Sequence, residues 1–234
     1  MTTSRLIYDQ VRNALDYLLA ADLVYYANSL SISDSGVSWH ASDRSIPFLL
    51  SYDHPTIDQY FAWLGSGAFT AILFDASLLQ VTYWIENGQV SGHRLAYVPC
   101  PYLVDFDLLS QGEPVADVVE LYRSTDAQLR SPIRFDYDPS SAKAGHPAAH
   151  LTINSAECRI ACVAPLHVLR FLDFVFRHFY ADLWMAHESF FSEGRRRHIG
   201  PGSITNDERQ GPHLAWELNP EPVPPRVGAR RALR

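Results

Sequence analysis

Residues 79–98 read LQVTYWIENGQVSGHRLAYV, and this stretch decides the fold. In its first half Leu79, Val81, Tyr83 and Ile85 alternate with Gln80, Thr82, Trp84 and Glu86, which is typical of a strand with one buried face. Asn87-Gly88 follows, the strongest short hairpin signal, because both central residues of a type I′ turn need positive φ. The return strand covers residues 90–98. An antiparallel hairpin is therefore the predicted centre of the molecule.

Working outward, the apolar pattern predicts helices and strands on both sides of the hairpin. Apolar residues recur at three- and four-residue steps over residues 4–30 and 57–65, which is typical of amphipathic helices. Further helices are predicted over residues 115–122 and in a long segment that begins at Pro165. Strands are predicted over residues 133–137 and 150–153, with an extension over 158–162. The predicted fold class is α+β, an antiparallel sheet of about five strands with an N-terminal helix and a long C-terminal helix packed on it.

The composition indicates one folded domain and a tail. The chain has 234 residues, 47% of them hydrophobic, which is enough to bury a sizeable core. We expect a single domain over residues 1–190. Residues 191–234 are rich in Arg, Pro and Gly and have too little apolar surface to offset the entropy of ordering, so we expect a flexible tail.

The cellular location is predicted from three features of the sequence. The N-terminus has no signal-peptide pattern, and no stretch approaches the roughly 18 apolar residues that a membrane-spanning helix needs. The three cysteines are odd in number, which argues against a secreted disulfide framework. We therefore expect a cytoplasmic protein that has no membrane partner.

A group of polar residues lies between Arg134 and His150. Alternation along the strand puts Arg134, Asp136 and Asp138 on one face, and the following loop carries Lys143, His146 and His150. Catalytic groups are often mounted where a strand ends beside a loop. In metal-independent phosphodiester cleavage one His would act as general base and another as general acid, with Arg94, Arg134 or Arg159 countering the charge on the phosphate.

The return strand of the hairpin supplies a second group of candidates. Counting outward from Asn87-Gly88 places His93 opposite Thr82 and Arg94 opposite Val81, so the two side chains point to opposite faces unless a bulge intervenes. Gly92 makes such a bulge conceivable. Tyr97 and Tyr137 could line a groove, whereas Trp63, Trp84 and Trp184 are assigned to the core.

Other readings of these residues remain open. A metal could use His146, His150 and an aspartate, but Pro147 argues against the helix that would bring the two rings together, and we expect no metal and no cofactor. The histidines could instead cap backbone groups, and Arg134 with Asp136 could be a structural ion pair. The sequence has no GxGxxG, GxxxxGK[ST], GxSxG or HExxH motif, so common nucleotide-binding and hydrolase readings lack support.

Two resemblances add to this reading. The motifs RFDYDP, HPAAHLTIN and APLHVLRFLDFVFRHFY resemble a bacterial family catalogued as a domain of unknown function, DUF2290, over most of residues 1–190. More weakly, HRLAYV, RFDYDPSSAKAGHPAAH and a helix with FLDF are similar in order to TumE-type toxins of toxin–antitoxin pairs. That similarity implies a role in prokaryotic conflict systems and functional positions at His93, Arg94, Tyr97, Asp136, Tyr137, His146 and His150.

The functional hypothesis is a toxin or phage-defence protein that cleaves RNA or another nucleic acid. The predicted catalytic residues are His93, Asp136, His146 and His150, and the predicted substrate-binding residues are Arg94, Tyr97, Arg134, Tyr137 and Lys143. The alternative is a non-catalytic subunit that binds a cognate protein encoded nearby in a defence or toxin–antitoxin complex. The net charge of −7 favours the alternative, because an acidic body is poorly steered towards RNA.

Overall fold

The computed structural model describes residues 2–39, 55–109, 111–155, 157–196 and 199–216. Among these residues there are eight α-helices and ten β-strands. The helices are α1 Thr3–Ala20, α2 Ile57–Ser66, α3 Phe106–Leu109, α4 Val115–Glu120, α5 Val168–Phe179, α6 Ala181–Ala186, α7 Glu188–Ser192 and α8 Asn206–Gln210. The strands are β1 Val24–Ala27, β2 Leu30–Ser33, β3 Gly36–Trp39, β4 Ala71–Leu73, β5 Leu78–Glu86, β6 Gln89–Val98, β7 Ile133–Tyr137, β8 Ala149–Ile153, β9 Arg159–Cys162 and β10 His213–Leu214.

The strands form one sheet, in which the main path runs β1-β4-β5-β6-β7-β8-β9-β10. Its pairs are antiparallel except for β9 with β10, which are parallel. β4 pairs with the start of β5 and β3 with its end, and β2 pairs with β3. The α+β class is confirmed, but the sheet has about ten strands in the described residues rather than five. Most of the additional strands have two to four residues, too few for an alternating pattern to be recognised.

The N-terminal helix is shorter than the apolar pattern predicts. The side chain of Thr2 caps α1 by accepting a hydrogen bond from the Arg5 N–H. α1 ends at Ala20, and Asp22 adopts a φ of 55°, which helices do not tolerate. Leu23 and Val24 continue the apolar spacing, but they are buried where β1 begins, so the prediction of a helix up to residue 30 was wrong.

The predicted long C-terminal helix is also corrected, because it divides into shorter helices. α5 has 12 residues, and its buried side chains include Phe171, Leu172 and Val175. Tyr180 then leaves the helical conformation, with φ −140° and ψ 56°, before α6 and α7 follow. Its hydroxyl donates a hydrogen bond to Asp75 Oδ2 at 2.8 Å, an attachment to the loop before β5 that sequence spacing does not indicate.

The two faces of the sheet are covered differently. Helices α1 and α5 pack on the face that carries Leu79, Val81 and Tyr83, and this is the larger core. On the opposite face α2 and α4 cover only the end near Leu78 and Val98. The remainder of that second face carries polar side chains, and we call it the polar face.

The Asn87-Gly88 hairpin is confirmed, with φ values of 52° and 73°, but its register is shifted. Trp84 pairs with Gly92 while Ile85 pairs with Val90, so Ser91 is an extra residue in β6. His93 therefore lies opposite Tyr83 and Arg94 opposite Thr82. The counted register was wrong by one residue, although His93 and Arg94 still point to opposite faces.

Part of the predicted tail packs against the sheet. The Val163 N–H donates to the Leu214 oxygen at 2.9 Å where β10 pairs with β9, and the Arg170 guanidinium lies 5.2 Å from the Trp216 ring centroid. Residues 197–198 and 217–234 of that tail lie outside the described residues. The division into one domain and a tail therefore stays a prediction. In the described part of the chain, every helix is too short or too polar to cross a membrane.

Candidate active site on the polar face

The polar face contains a cleft of about 610 Å³ between β5 and β9. Arg94, Asp136 and His150 are direct neighbours across β6, β7 and β8, so their side chains leave the same face of the sheet. Arg134 lies two residues from Asp136 on that face, and His146 approaches from the loop after β7. The cleft is lined by these five residues and by Trp84, Asp138 and Arg159, among others.

Asp136 is the centre of this arrangement. Its side chain is buried, Arg134 Nε donates to Oδ2, and His150 Nε2 lies 3.4 Å from the same oxygen. Arg94 Nε lies 3.5 Å from Oδ1. Burial raises the pKa of Asp136, but the contacts with His150 and Arg134 outweigh it and the net pKa is lowered. Asp136 therefore stays a carboxylate at neutral pH.

Arg134 forms the floor of the cleft and is only 8% exposed. Burial lowers its pKa to about 10, and the neighbouring Asp136 carboxylate opposes that shift. Arg134 is therefore still a cation at neutral pH. The Nε of Arg134 already donates a hydrogen bond to Asp136, so Arg134 would act on a ligand in the cleft mainly through its positive charge.

His150 is held on both sides of its ring. Nδ1 lies 2.8 Å from the carbonyl oxygen of Pro147, and Nε2 faces Asp136. Both neighbouring atoms are hydrogen-bond acceptors. His150 is thus placed to position and balance Asp136 rather than to take a proton from a substrate.

His146 is the more accessible histidine, and a tight turn presents it. The Lys143 N–H donates to the His146 oxygen at 3.0 Å, the His146 N–H donates to the Lys143 oxygen at 2.8 Å, and Gly145 between them has a φ of 76°. The His146 ring is half-buried, with its centroid 5.0 Å from that of His150. Burial and the nearby Arg159 lower the pKa of His146, so it is neutral at pH 7 and can accept a proton.

Three more of the predicted residues, Asp138, Lys143 and Arg94, lie in or beside the cleft. Asp138 accepts hydrogen bonds from the backbone and hydroxyl groups of Ser140 and Ser141, which lower its pKa. Lys143 is exposed on the outside of the turn and does not line the cleft. Arg94 is partly exposed and lies between Asp136 and the ring of Trp84.

His93, Tyr97 and Tyr137 are not brought to Asp136, because their side chains leave the opposite face of the sheet. His93 Nε2 accepts from the Leu166 N–H at 2.8 Å, and the Tyr83 hydroxyl donates to the Leu166 oxygen at 2.9 Å. The Tyr97 hydroxyl lies 2.9 Å from that of Tyr180. His93 and Tyr137 are among the residues that line the cleft. Their rings nevertheless lie on the opposite face of the sheet, where the His93 ring packs on that of Tyr137 and His93 binds the segment before α5.

The buried position of His93 predicts an acid-sensitive fold. Burial lowers the pKa of His93 from 6.5 to about 4. Between these values the unfolded chain binds a proton at this residue and the folded chain does not, so stability is lost as pH falls through this window, by up to about 3 kcal/mol. Urea unfolding at about pH 7 and about pH 5 should show this loss, and His93→Gln, which keeps an acceptor near Leu166, should reduce it. An equal loss in His93→Gln would assign the acid sensitivity to other groups.

The sequence did not predict that Trp84 lines the cleft, and it gave Arg159 only a minor place among the candidates. Trp84 was assigned to the core, but its side chain is 41% exposed and lines the cleft. The signal was present, since Trp84 shares the polar side of β5 with Gln80 and Thr82. Arg159 was considered only as one of three phosphate-facing arginines, and it joins the cleft because it pairs with Thr152 across β8 and β9.

Several polar atoms on this face have no hydrogen-bond partner among the described residues. They are Asp136 Oδ1, His150 Nε2, Thr152 Oγ1 and Arg159 Nε. Buried polar groups are normally satisfied, so their concentration here indicates a place for a polar ligand or water. Across the described ranges no group of three His, Cys, Asp or Glu side chains could hold a metal ion.

The comparisons with known proteins give a family and no activity. No curated protein matches the chain, and no solved structure matches it either. The sequence does match the family described as an uncharacterized conserved protein (DUF2290) over residues 22–216, which is most of the chain. The protein therefore belongs to the DUF2290 family.

Proposed function

We propose that this protein is a metal-independent ribonuclease that acts in the cytoplasm as the toxin or phage-defence component of a prokaryotic conflict system. One observation carries the proposal. The half-buried His146 ring stands beside the buried Asp136–His150 pair in a cleft that also contains three arginines. This set of groups is suited to proton transfer next to an anion.

The charge of the cleft favours a phosphate-containing substrate. Arg94, Arg134 and Arg159 contribute three positive charges around the single buried carboxylate of Asp136. Guanidinium groups match phosphate geometry and retain their charge. The lining also contains the carboxylates of Glu86 and Asp138, so it is the guanidinium groups themselves, and not a net positive charge of the cleft, that support local recognition of an RNA phosphate on a protein with a net charge of −7.

The chemistry that fits is transfer of the phosphoryl group to the neighbouring 2′-hydroxyl. His146 accepts the proton of that hydroxyl, its oxygen bonds to phosphorus, and the bond from phosphorus to the 5′-oxygen breaks. The products are a 2′,3′-cyclic phosphate and a 5′-hydroxyl, whose proton comes from water at the open side of the cleft. Arg159 and Arg94 counter the charge that develops on the phosphate oxygens.

The role in a conflict system is supported by the order of motifs, which resembles that of TumE-type toxins, at Asp136, His146 and His150. The rival role, a non-catalytic subunit that binds a protein partner, is motivated by the acidic net charge. The two roles differ in a cell, because a ribonuclease damages RNA on its own and a binding subunit does not.

The test is induced expression in bacteria, comparing wild type with His146→Ala and with the double variant His146→Ala/His150→Ala. We expect wild type to stop growth and fragment total RNA, and both variants to do neither. His150 is buried, so only His146→Ala separates loss of chemistry from loss of fold. His178→Ala, which removes an exposed imidazole on α5, is the matched control and should be as toxic as wild type.

Equal toxicity of His146→Ala and wild type would contradict the proposal. If wild type has no effect on growth or RNA, and a stable complex with another protein purifies instead, the binding-subunit role is favoured.

A further inference from the structure

Trp84 is one of the large apolar side chains that are exposed among the described residues, and it is the one that lines the cleft. It lies on β5 between the buried Tyr83 and Ile85, yet it is 41% exposed and lines the cleft. Tryptophan is enriched at binding surfaces, and an aromatic ring can stack on a nucleobase.

The opposite strand is shaped to accommodate the indole. Gly92 faces Trp84 only because Ser91 is bulged out of β6. A Cβ atom on Gly92 would lie 3.1 Å from Trp84 Cε3 and 3.0 Å from the Tyr137 oxygen, which is tighter than ordinary contact. The absence of a side chain at residue 92 therefore lets the indole lie close to the backbone of β6.

Arg94 lies between this aromatic surface and the buried Asp136. Its Cζ lies 5.7 Å from the Trp84 ring centroid, and its Nε lies 3.5 Å from Asp136 Oδ1. A flat apolar ring, a guanidinium and a histidine thus follow one another along the same cleft. An aromatic ring and a guanidinium are the kinds of group that bind the base and the phosphate of a nucleotide.

The length of the cleft fits more than one nucleotide. Trp84 is on β5 and Arg159 is on β9, which are separated by four strand spacings, or about 19 Å. Both residues line the same cleft. A polymer could therefore place a base at one end while its backbone passes the arginines.

We propose that Trp84 is a stacking platform for an unpaired nucleobase, so that the cleft binds single-stranded RNA in preference to duplex. This inference rests on the proposed function and specifies its substrate. In a duplex both faces of each base are already stacked, and the platform would have no face to bind.

The experiment measures binding in the His146→Ala background, so that the RNA is not cleaved. Dissociation constants are measured by fluorescence anisotropy for a short labelled single-stranded RNA and for the same RNA in a duplex. We expect single strands to bind more tightly than duplex, and Trp84→Ala to weaken single-strand binding about 10-fold, within the range for one stacked base. Trp84→Leu, which keeps an apolar side chain but removes the ring, should weaken binding in the same way and provides a second variant if Trp84→Ala folds poorly, whereas Trp84→Phe should retain most of the affinity.

The matched control is Tyr26→Ala, which removes another exposed aromatic ring, on β1 away from the cleft lining, and should leave binding unchanged. If RNA binds but Trp84→Ala and Trp84→Leu bind as wild type does, or if duplex binds equally well, the platform is refuted while the ribonuclease proposal stands. If neither RNA binds, both proposals fail.

Discussion

Replacement of Asp136 by alanine should lower the free energy of unfolding by about 3–5 kcal/mol, the range observed when one partner of a buried ion pair is removed. Asp136 is the hydrogen-bond partner of the Arg134 Nε, and Arg134 is only 8% exposed. Without the carboxylate, the Arg134 cation and the His150 ring would face each other in a poorly solvated site. Urea unfolding at neutral pH measures the loss.

Two comparisons make this prediction specific. Asp16 forms an exposed ion pair with Arg12 on α1, so Asp16→Ala should cost less than about 1 kcal/mol. The double variant Arg134→Met/Asp136→Leu removes both buried charges and should recover much of the stability lost in Asp136→Ala. If Asp136→Ala costs no more than Asp16→Ala, the buried cluster does not contribute to the fold as the contacts indicate.

Replacement of His146 by alanine should reduce the rate of RNA cleavage by about 10²- to 10⁴-fold, the usual contribution of a general base. His146 is half-buried on a turn, and its removal leaves the Asp136–His150 pair in place. The melting temperature should therefore change little. Initial rates with purified protein and a labelled single-stranded RNA measure the effect.

The pH dependence gives an independent check on the role of His146. A general base works when it is neutral, and the pKa of His146 is lowered from 6.5. The cleavage rate should therefore rise with pH to a plateau, and the midpoint of the rise should lie below about pH 6.5. His178→Ala should preserve this profile. A rate that rises only at alkaline pH would assign the base to another group.

Local signals predicted the parts of the fold that depend on local chemistry. The Asn87-Gly88 turn, the strand Ile133–Tyr137 and helix α2, which starts from a capping box at Thr56, all follow from residues close in sequence. The short strand β1 does not, since it forms only by pairing with β4, which is distant in the sequence. The end of α5 at Tyr180 likewise depends on a hydrogen bond to Asp75, 105 positions away in the sequence.

The part of the candidate site that follows from alternation along a single strand was predictable from the sequence. Arg134 and Asp136 share a face for that reason, and the loop after β7 returns His146 and His150 to them. The position of His93 depends instead on which face packs against α5, and alternation alone does not reveal that. The pairing of Trp84 with Gly92 depends on the bulge at Ser91, which the Asn-Gly turn does not indicate.

The most direct test of the central claim uses purified wild-type protein and two oligonucleotides of the same sequence, one RNA and one DNA, with a chelator present. If the cleft performs the proposed chemistry, the RNA should be cut to products that end in a 2′,3′-cyclic phosphate. The DNA, which lacks the attacking hydroxyl, should remain intact, and His146→Ala should cut neither. Intact RNA after prolonged incubation with folded wild-type protein, or equal cleavage of RNA and DNA, would contradict the account.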